Sequence, residues 1–128
     1  MCVKRIIHTD SAPAAVGPYS QAVKAGEFLF ISGQIGLDPA TGRMVDGGLV
    51  GQVERVLENL RAILEAAGGG IESVVKTTVL LQSMDDFGAM NEIYAGVFTD
   101  NPPARAAFEV GRLPLGALVE IEAVAFLG

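Results

Sequence analysis

Residues 118–127 constrain the fold more than any other stretch of the chain. Side chains alternate across an extended strand, and here Val119, Ile121, Ala123, Ala125 and Leu127 make one face wholly apolar. Glu120 and Glu122 point the other way, but they share that second face with Val124 and Phe126. Such a strand needs a covering layer on one side and leaves apolar groups wet on the other unless something covers those too. Upstream, Asn101-Pro102-Pro103 halts whatever precedes it, because neither proline donates a backbone hydrogen bond. Ala104 to Val110 then reads as a strand with Arg105, Ala107 and Glu109 on one face, and Gly111 to Ala117 as a Gly/Pro connection. An arginine therefore opens one strand and a glutamate sits within the next. That pair suits a small anion that needs acid–base chemistry. A structural ion pair of Arg105 with Glu109, Glu120 or Glu122 has the same appearance in sequence.

The remaining chain supplies the covering layer. Val3 to Thr9 alternates weakly, as an edge strand does, and Ser11 to Pro18 is a loop stiffened by Pro13 and Pro18. Tyr19 to Ala25 and Phe28 to Gly33 read as a hairpin around Gly26-Glu27, with Phe28, Phe30 and Ser32 on one face and Leu29 and Ile31 on the other. Gly33 and Gly36 permit close backbone approach, by a ligand or another chain. From Leu49 to Ala67 an apolar stripe (Val50, Val53, Val56, Leu57, Leu60, Ile63, Leu64, Ala67) marks a packing helix, ended by Gly68-Gly69-Gly70 through a left-handed cap. Glu72 to Gln82 is rich in β-branched residues, with Val75, Thr77, Val79 and Leu81 on one face of an interior strand. Ser83 to Asp86 then caps a second helix, along one side of which lie Phe87, Met90, Asn91, Tyr94, Val97 and Phe98. The order β, ββ, α, β, α, ββ predicts an α+β fold, one mixed sheet with both helices on one face.

Bulk properties narrow the function classes. The 128 residues suit one domain, residues 1–128. Half are apolar and only 19% are charged, which points to apolar surface buried in an oligomer. A net charge of −6 argues against a phosphate-backbone binder, so a nucleic-acid partner is not expected. Cys2 is the one cysteine, which excludes an internal disulfide and a cysteine-based metal site. The single histidine, His8, lies in the opening strand, where a structural or exposed role fits better than a catalytic one. No run approaches a membrane span or a signal peptide, and the expected location is the cytoplasm.

Pro103-Ala104-Arg105-Ala106-Ala107-Phe108, followed by Val119-Glu120-Ile121, resembles the C-terminal signature of the Rid family, the reactive intermediate (enamine/imine) deaminases. Four further segments match in order: Ala12 to Gln21, Ile31 to Ile35, Val75 to Val79 and Asn91 to Tyr94. The resemblance implies a chorismate-mutase-like fold, with one mixed six-stranded sheet and two helices on one face, assembling as a trimeric barrel. It implies hydrolytic deamination of short 2-enamino or 2-imino acids such as 2-aminoacrylate. The products are a 2-oxo acid and ammonia, and the role is damage control beside pyridoxal-phosphate dehydratases. No metal or organic cofactor is implied. Arg105 matches the carboxylate-binding arginine of the deaminase-active branch, and Glu120 the glutamate that positions or activates water. Tyr19, Ser32 and Asn91 match pocket residues at a subunit interface.

One departure stands out: many members carry Ser-Cys after the arginine, and this chain has Ala106-Ala107. A thiol's role is absent, while the backbone carbonyl of Ala107 still offers a water ligand, so activity is expected to survive. Two other readings stay open, a trimeric small-carboxylate-binding or regulatory protein without turnover, and an endoribonuclease.

Overall fold

A computed structural model describes residues 3–128; Cys2 lies outside the described residues. The elements in chain order are β1 (Lys4–Ile7), β2 (Ala22–Ala25), β3 (Phe28–Gln34), α1 (Gly48–Ala66), β4 (Val74–Leu81), α2 (Phe87–Val97), β5 (Ala104–Glu109) and β6 (Val119–Phe126), with short 3₁₀ turns before β4, α2 and β6. They form the α+β architecture expected from the sequence. The six strands make one sheet in the order β1-β2-β3-β6-β4-β5. Only β4 and β5 are parallel, and α2 is the crossover a parallel pair requires. The expected two-residue turn joins β2 to β3, with Gly26 at φ +61°.

Both helices lie on one face of the sheet. Val53, Val56, Leu57, Leu60, Ile63 and Leu64 of α1 pack on Leu29, Ile31, Val79, Val119, Ile121 and Ala125 with at most 4% of their surface exposed. The buried stripe starts one turn later than expected, because Val50 is exposed. Gly68, at φ +90°, ends α1 in the left-handed conformation that a glycine supplies. Ser83 caps the turn before α2, its hydroxyl accepting from the Asp85 N–H at 3.2 Å.

Three expectations require correction. A bulge between Val74 and Lys76 shifts the alternation of β4, so Val74 takes the core position and Val75 faces outward. The glycines of residues 33–36 are approached by the chain's own atoms: a methyl at Gly36 would meet the Gln52 Cα at 2.9 Å. Finally, the strands holding Arg105 and Glu120 are not neighbours, since β4 runs between them.

Buried polar groups pin the loops to this frame. Asn59, fully buried on α1, donates to the carbonyls of Ile35 and Leu37 at 3.3 and 3.1 Å. Gln52 accepts from the Leu118 N–H at 2.8 Å, fixing the entry to β6. Gln21 donates to the carbonyls of Thr9 and Pro13 at 3.0 and 2.8 Å and tethers the loop that leads to Tyr19. Each buried amide is satisfied, as burial demands. Among the described residues the other face of the sheet carries no helix. Phe28, Phe30, Phe108 and Phe126 stand there, between 43% and 50% exposed.

Candidate functional site

The register of the sheet divides the expected site residues into two groups. On β5, Arg105 lies opposite Thr77 and Ala107 opposite Val79, and both face the helices. On β6, Glu120 lies opposite Leu80, on the open face. Within one chain Arg105 and Glu120 therefore sit on opposite sides of the sheet.

The first group gathers around α2. The Arg105 Nη1 donates to the Asn91 Oδ1 at 2.7 Å. Its Cζ lies 4.8 Å from the centre of the Tyr94 ring and 5.4 Å from that of Phe87, both within cation–π range. No carboxylate pairs with Arg105 among the described residues. Within one chain the ion pair does not form: Glu109 instead accepts from the Met84 N–H at 2.9 Å, and Glu120 and Glu122 are across the sheet. Arg105 is exposed and keeps donors free for a planar anion. Tyr94 is buried, and its hydroxyl shares a 2.6 Å hydrogen bond with the fully buried Thr77. Burial raises the Tyr94 pKa, against the opposing influence of the Thr77 bond and the Arg105 charge. Ala107 sits two residues beyond Arg105 on the open edge of the sheet. Because the Val110 N–H bonds to Leu81 of β4, alternation turns the backbone N–H and C=O of Ala107 away from β4, toward the edge.

The second group lines a cavity of about 870 Å³ on the open face, whose walls include Tyr19, Ser32, Gly33, Glu120 and Glu122. A bulge in β3 between Ile31 and Gln34 frees Ser32 and Gly33 from the ladder with β6. The Glu120 carboxyl lies against Gly33 so closely that a methyl there would overlap Oε2 and stand 2.8 Å from Cδ. Burial raises the Glu120 pKa above the ordinary carboxyl value, and the negative charge of Glu122 adds to the shift. The Ser32 hydroxyl donates to the Ser20 carbonyl at 2.6 Å, which leaves it as an acceptor. The Tyr19 hydroxyl accepts weakly from the Val16 N–H at 3.4 Å and keeps its own proton to donate. At the rim, Leu115 adopts a left-handed φ of 56° with most of its side chain exposed. His8 is distant in role: it is exposed, and its Nε2 lies 3.0 Å from Asp10.

Residues 9–127 match the family described as endoribonuclease L-PSP. The chain belongs to this family, the Rid proteins. This Rid chain is 55% identical over 124 residues to a RutC family protein of Pyrococcus horikoshii, across 97% of this chain and 98% of that protein. It is 53% identical over 126 residues to the 2-iminobutanoate/2-iminopropanoate deaminase of Mus musculus, covering 98% of this chain and 93% of that one. The crystal structure of RidA from an Antarctic Psychrobacter superposes with a TM-score of 0.92 at 48% identity, covering 95% of this chain and 98% of that one. The six-stranded sheet with two helices on one face is the fold of these Rid relatives.

Three parts of the candidate site escape a reading of motifs. Phe87 and Tyr94 read as packing residues, although the spacing 87, 91, 94 already aligned them with Asn91 on one helix face. The seating of Glu120 on Gly33 depends on a bulge that no residue type announces. Glu122 is visible beside Glu120 in sequence, but its influence on the Glu120 pKa rests on burial.

Proposed function

We propose that this Rid protein hydrolyses short 2-imino and 2-enamino acids, such as 2-aminoacrylate, to 2-oxo acids and ammonia. The observation that carries the reading is Arg105, a guanidinium held by Asn91 with donors free and no carboxylate partner among the described residues. A substrate carboxylate fits that fork through two parallel hydrogen bonds of roughly 1.5–3 kcal/mol each. Lysine offers a point charge without the fixed geometry.

Hydrolysis needs a water delivered to the carbon of the C=N bond. After the enamine takes a proton at carbon, Glu120 accepts a proton from that water as the C–O bond forms. It then returns that proton to nitrogen as the C–N bond breaks, and the new hydroxyl gives its proton to solvent as the C=O bond forms, balancing the proton that solvent supplied at carbon and releasing ammonia and the 2-oxo acid. A carboxyl whose pKa burial raises above its ordinary value suits both transfers, and such catalysis contributes roughly 10²–10⁴-fold. The carbonyl of Ala107 holds the water, Tyr19 donates a hydrogen bond to substrate and Ser32 accepts one.

These groups need copies brought together. Arg105, Asn91 and Ala107 of one copy would face Tyr19, Ser32 and Glu120 of the next. The exposed Phe28, Phe30, Phe108 and Phe126 support burial of the open face in such an assembly, and the Rid resemblance favours three copies around a barrel. The cellular setting is the cytoplasm, beside pyridoxal-phosphate dehydratases that release these intermediates. Identity of 53% to the 2-iminobutanoate/2-iminopropanoate deaminase of Mus musculus supports the activity. The family's endoribonuclease description gives the second reading, against which the net charge of −6 weighs.

The test generates 2-aminoacrylate from serine with a dehydratase and follows surviving imine with a nucleophilic trap. Wild type is expected to deplete it and Arg105→Ala to lose most of that effect. No acceleration by wild type defeats the proposal, and RNA cleavage persisting in Arg105→Ala would establish the alternative.

A further inference from the structure

We propose that Phe87, Asn91 and Tyr94 form a clamp that fixes the orientation of the Arg105 guanidinium, and that Asn91 acts on Arg105 rather than on substrate. The inference rests on the carboxylate-binding role proposed for Arg105. A single helix face supplies all three residues, at positions i, i+4 and i+7 of α2. The guanidinium stands 4.8 Å from the Tyr94 ring centre and 5.4 Å from that of Phe87, while Asn91 takes one Nη1 hydrogen at 2.7 Å.

An exposed arginine has many rotamers, and holding one of them costs entropy at the moment of binding. Here the aromatic faces restrict the plane and the Asn91 oxygen restricts rotation within it. The platform is itself anchored. Tyr94 is hydrogen-bonded to Thr77 in the core at 2.6 Å and its ring lies 4.5 Å from that of Phe98. Thr77 is also the register partner of Arg105 on the adjacent strand, so strand and clamp are fixed by one core residue. Asn91 engages one N–H of a group that carries five, leaving the rest of the fork for a carboxylate. These are positioning residues: they act through Arg105.

The test uses the whole chain and reads binding of pyruvate, the 2-oxo acid product, by NMR titration. Asn91 and Phe87 are half-buried, so Asn91→Ala and Phe87→Leu spare the buried Tyr94. Each is expected to weaken pyruvate affinity about fivefold, with the unfolding midpoint unchanged. In an Arg105→Ala background neither has a further effect. The second readout is the nitrogen resonances of the Arg105 guanidinium: rotation about Nε–Cζ is slow in wild type and fast in Asn91→Ala. Equal losses with and without Arg105, absent pyruvate binding by wild type, or free rotation in wild type each overturn the clamp. A protein that binds pyruvate through a clamped Arg105 but leaves imine decay unchanged sinks the deaminase reading and keeps the clamp.

Discussion

Gly33→Ala should separate the proposed activity from stability. The added methyl would overlap the Glu120 Oε2 and stand 2.8 Å from its Cδ, where ordinary contact begins near 3.4 Å, so the carboxyl must retreat by more than the roughly 0.6 Å that Cδ alone requires, or swing aside. Proton transfer is sensitive to such a shift: a misplacement of about 1 Å costs roughly 10²-fold. The expected loss in kcat is roughly 10- to 100-fold, with KM changed less because Arg105 lies elsewhere in the fold. Stability should move the other way. Gly33 does not occupy the left-handed region, and its neighbour in space is the far end of a flexible side chain. Replacing such a glycine by alanine stabilises by about 0.4–1 kcal/mol through the unfolded chain. The assays are imine depletion and thermal unfolding, each run also in a Glu120→Ala background. There the second substitution should cost nothing more. Full activity of Gly33→Ala, a drop in its unfolding midpoint, or an equal loss without Glu120 would refute the reasoning.

Other consequences are as direct. Arg105→Lys is expected to lower kcat/KM about 10- to 150-fold by losing one of two charge-assisted bonds, measured in the same imine assay. Glu120→Gln should raise stability at neutral pH. The raised pKa means that wild-type stability is fully present below the unfolded carboxyl value, near 4.5, and is lost as pH rises through the folded one; urea titrations should therefore show the gain at pH 7 vanish by about pH 4. Tyr94→Phe leaves the buried Thr77 hydroxyl unpaired and should cost about 1–3 kcal/mol in denaturant, most of it regained in the Tyr94→Phe, Thr77→Val double variant. Phe30→Asp on the open face should dissociate the proposed assembly in sedimentation and remove the proposed activity with it.

Much of this architecture is legible in the residues because burial imposes periodicity. The stripe of α1, the alternation of β3 and β6, the Gly26-Glu27 turn and the Ser83 cap each follow from a local rule that the tertiary fold does not oppose. What stays hidden depends on the third dimension. Nothing in the composition of β4 predicts the bulge that turns Val75 outward. Adjacency in sequence suggested that Arg105 and Glu120 meet, whereas strand order places β4 between them and register puts them on opposite faces. The candidate site residues stand within the motif blocks or beside them. Their supports were not readable, since Phe87, Tyr94 and Gly33 look like packing or punctuation until their neighbours are known.

The place of β6 also sets a schedule for folding. It is the last of the six strands in the chain, yet it lies between β3 and β4 and joins the N-terminal hairpin to the β4–α2–β5 unit. A ribosome that has released the first 110 residues has released every strand but this keystone, and the two halves then have no backbone ladder between them. Leu29, Ile31, Val79 and Leu81, all buried in the finished core, wait without the strand that unites them. The β3–β6 and β4–β6 ladders can therefore form only after residues 119–126 have been translated. Until then the apolar strands are open to improper partners, the interval in which a chaperone has something to hold.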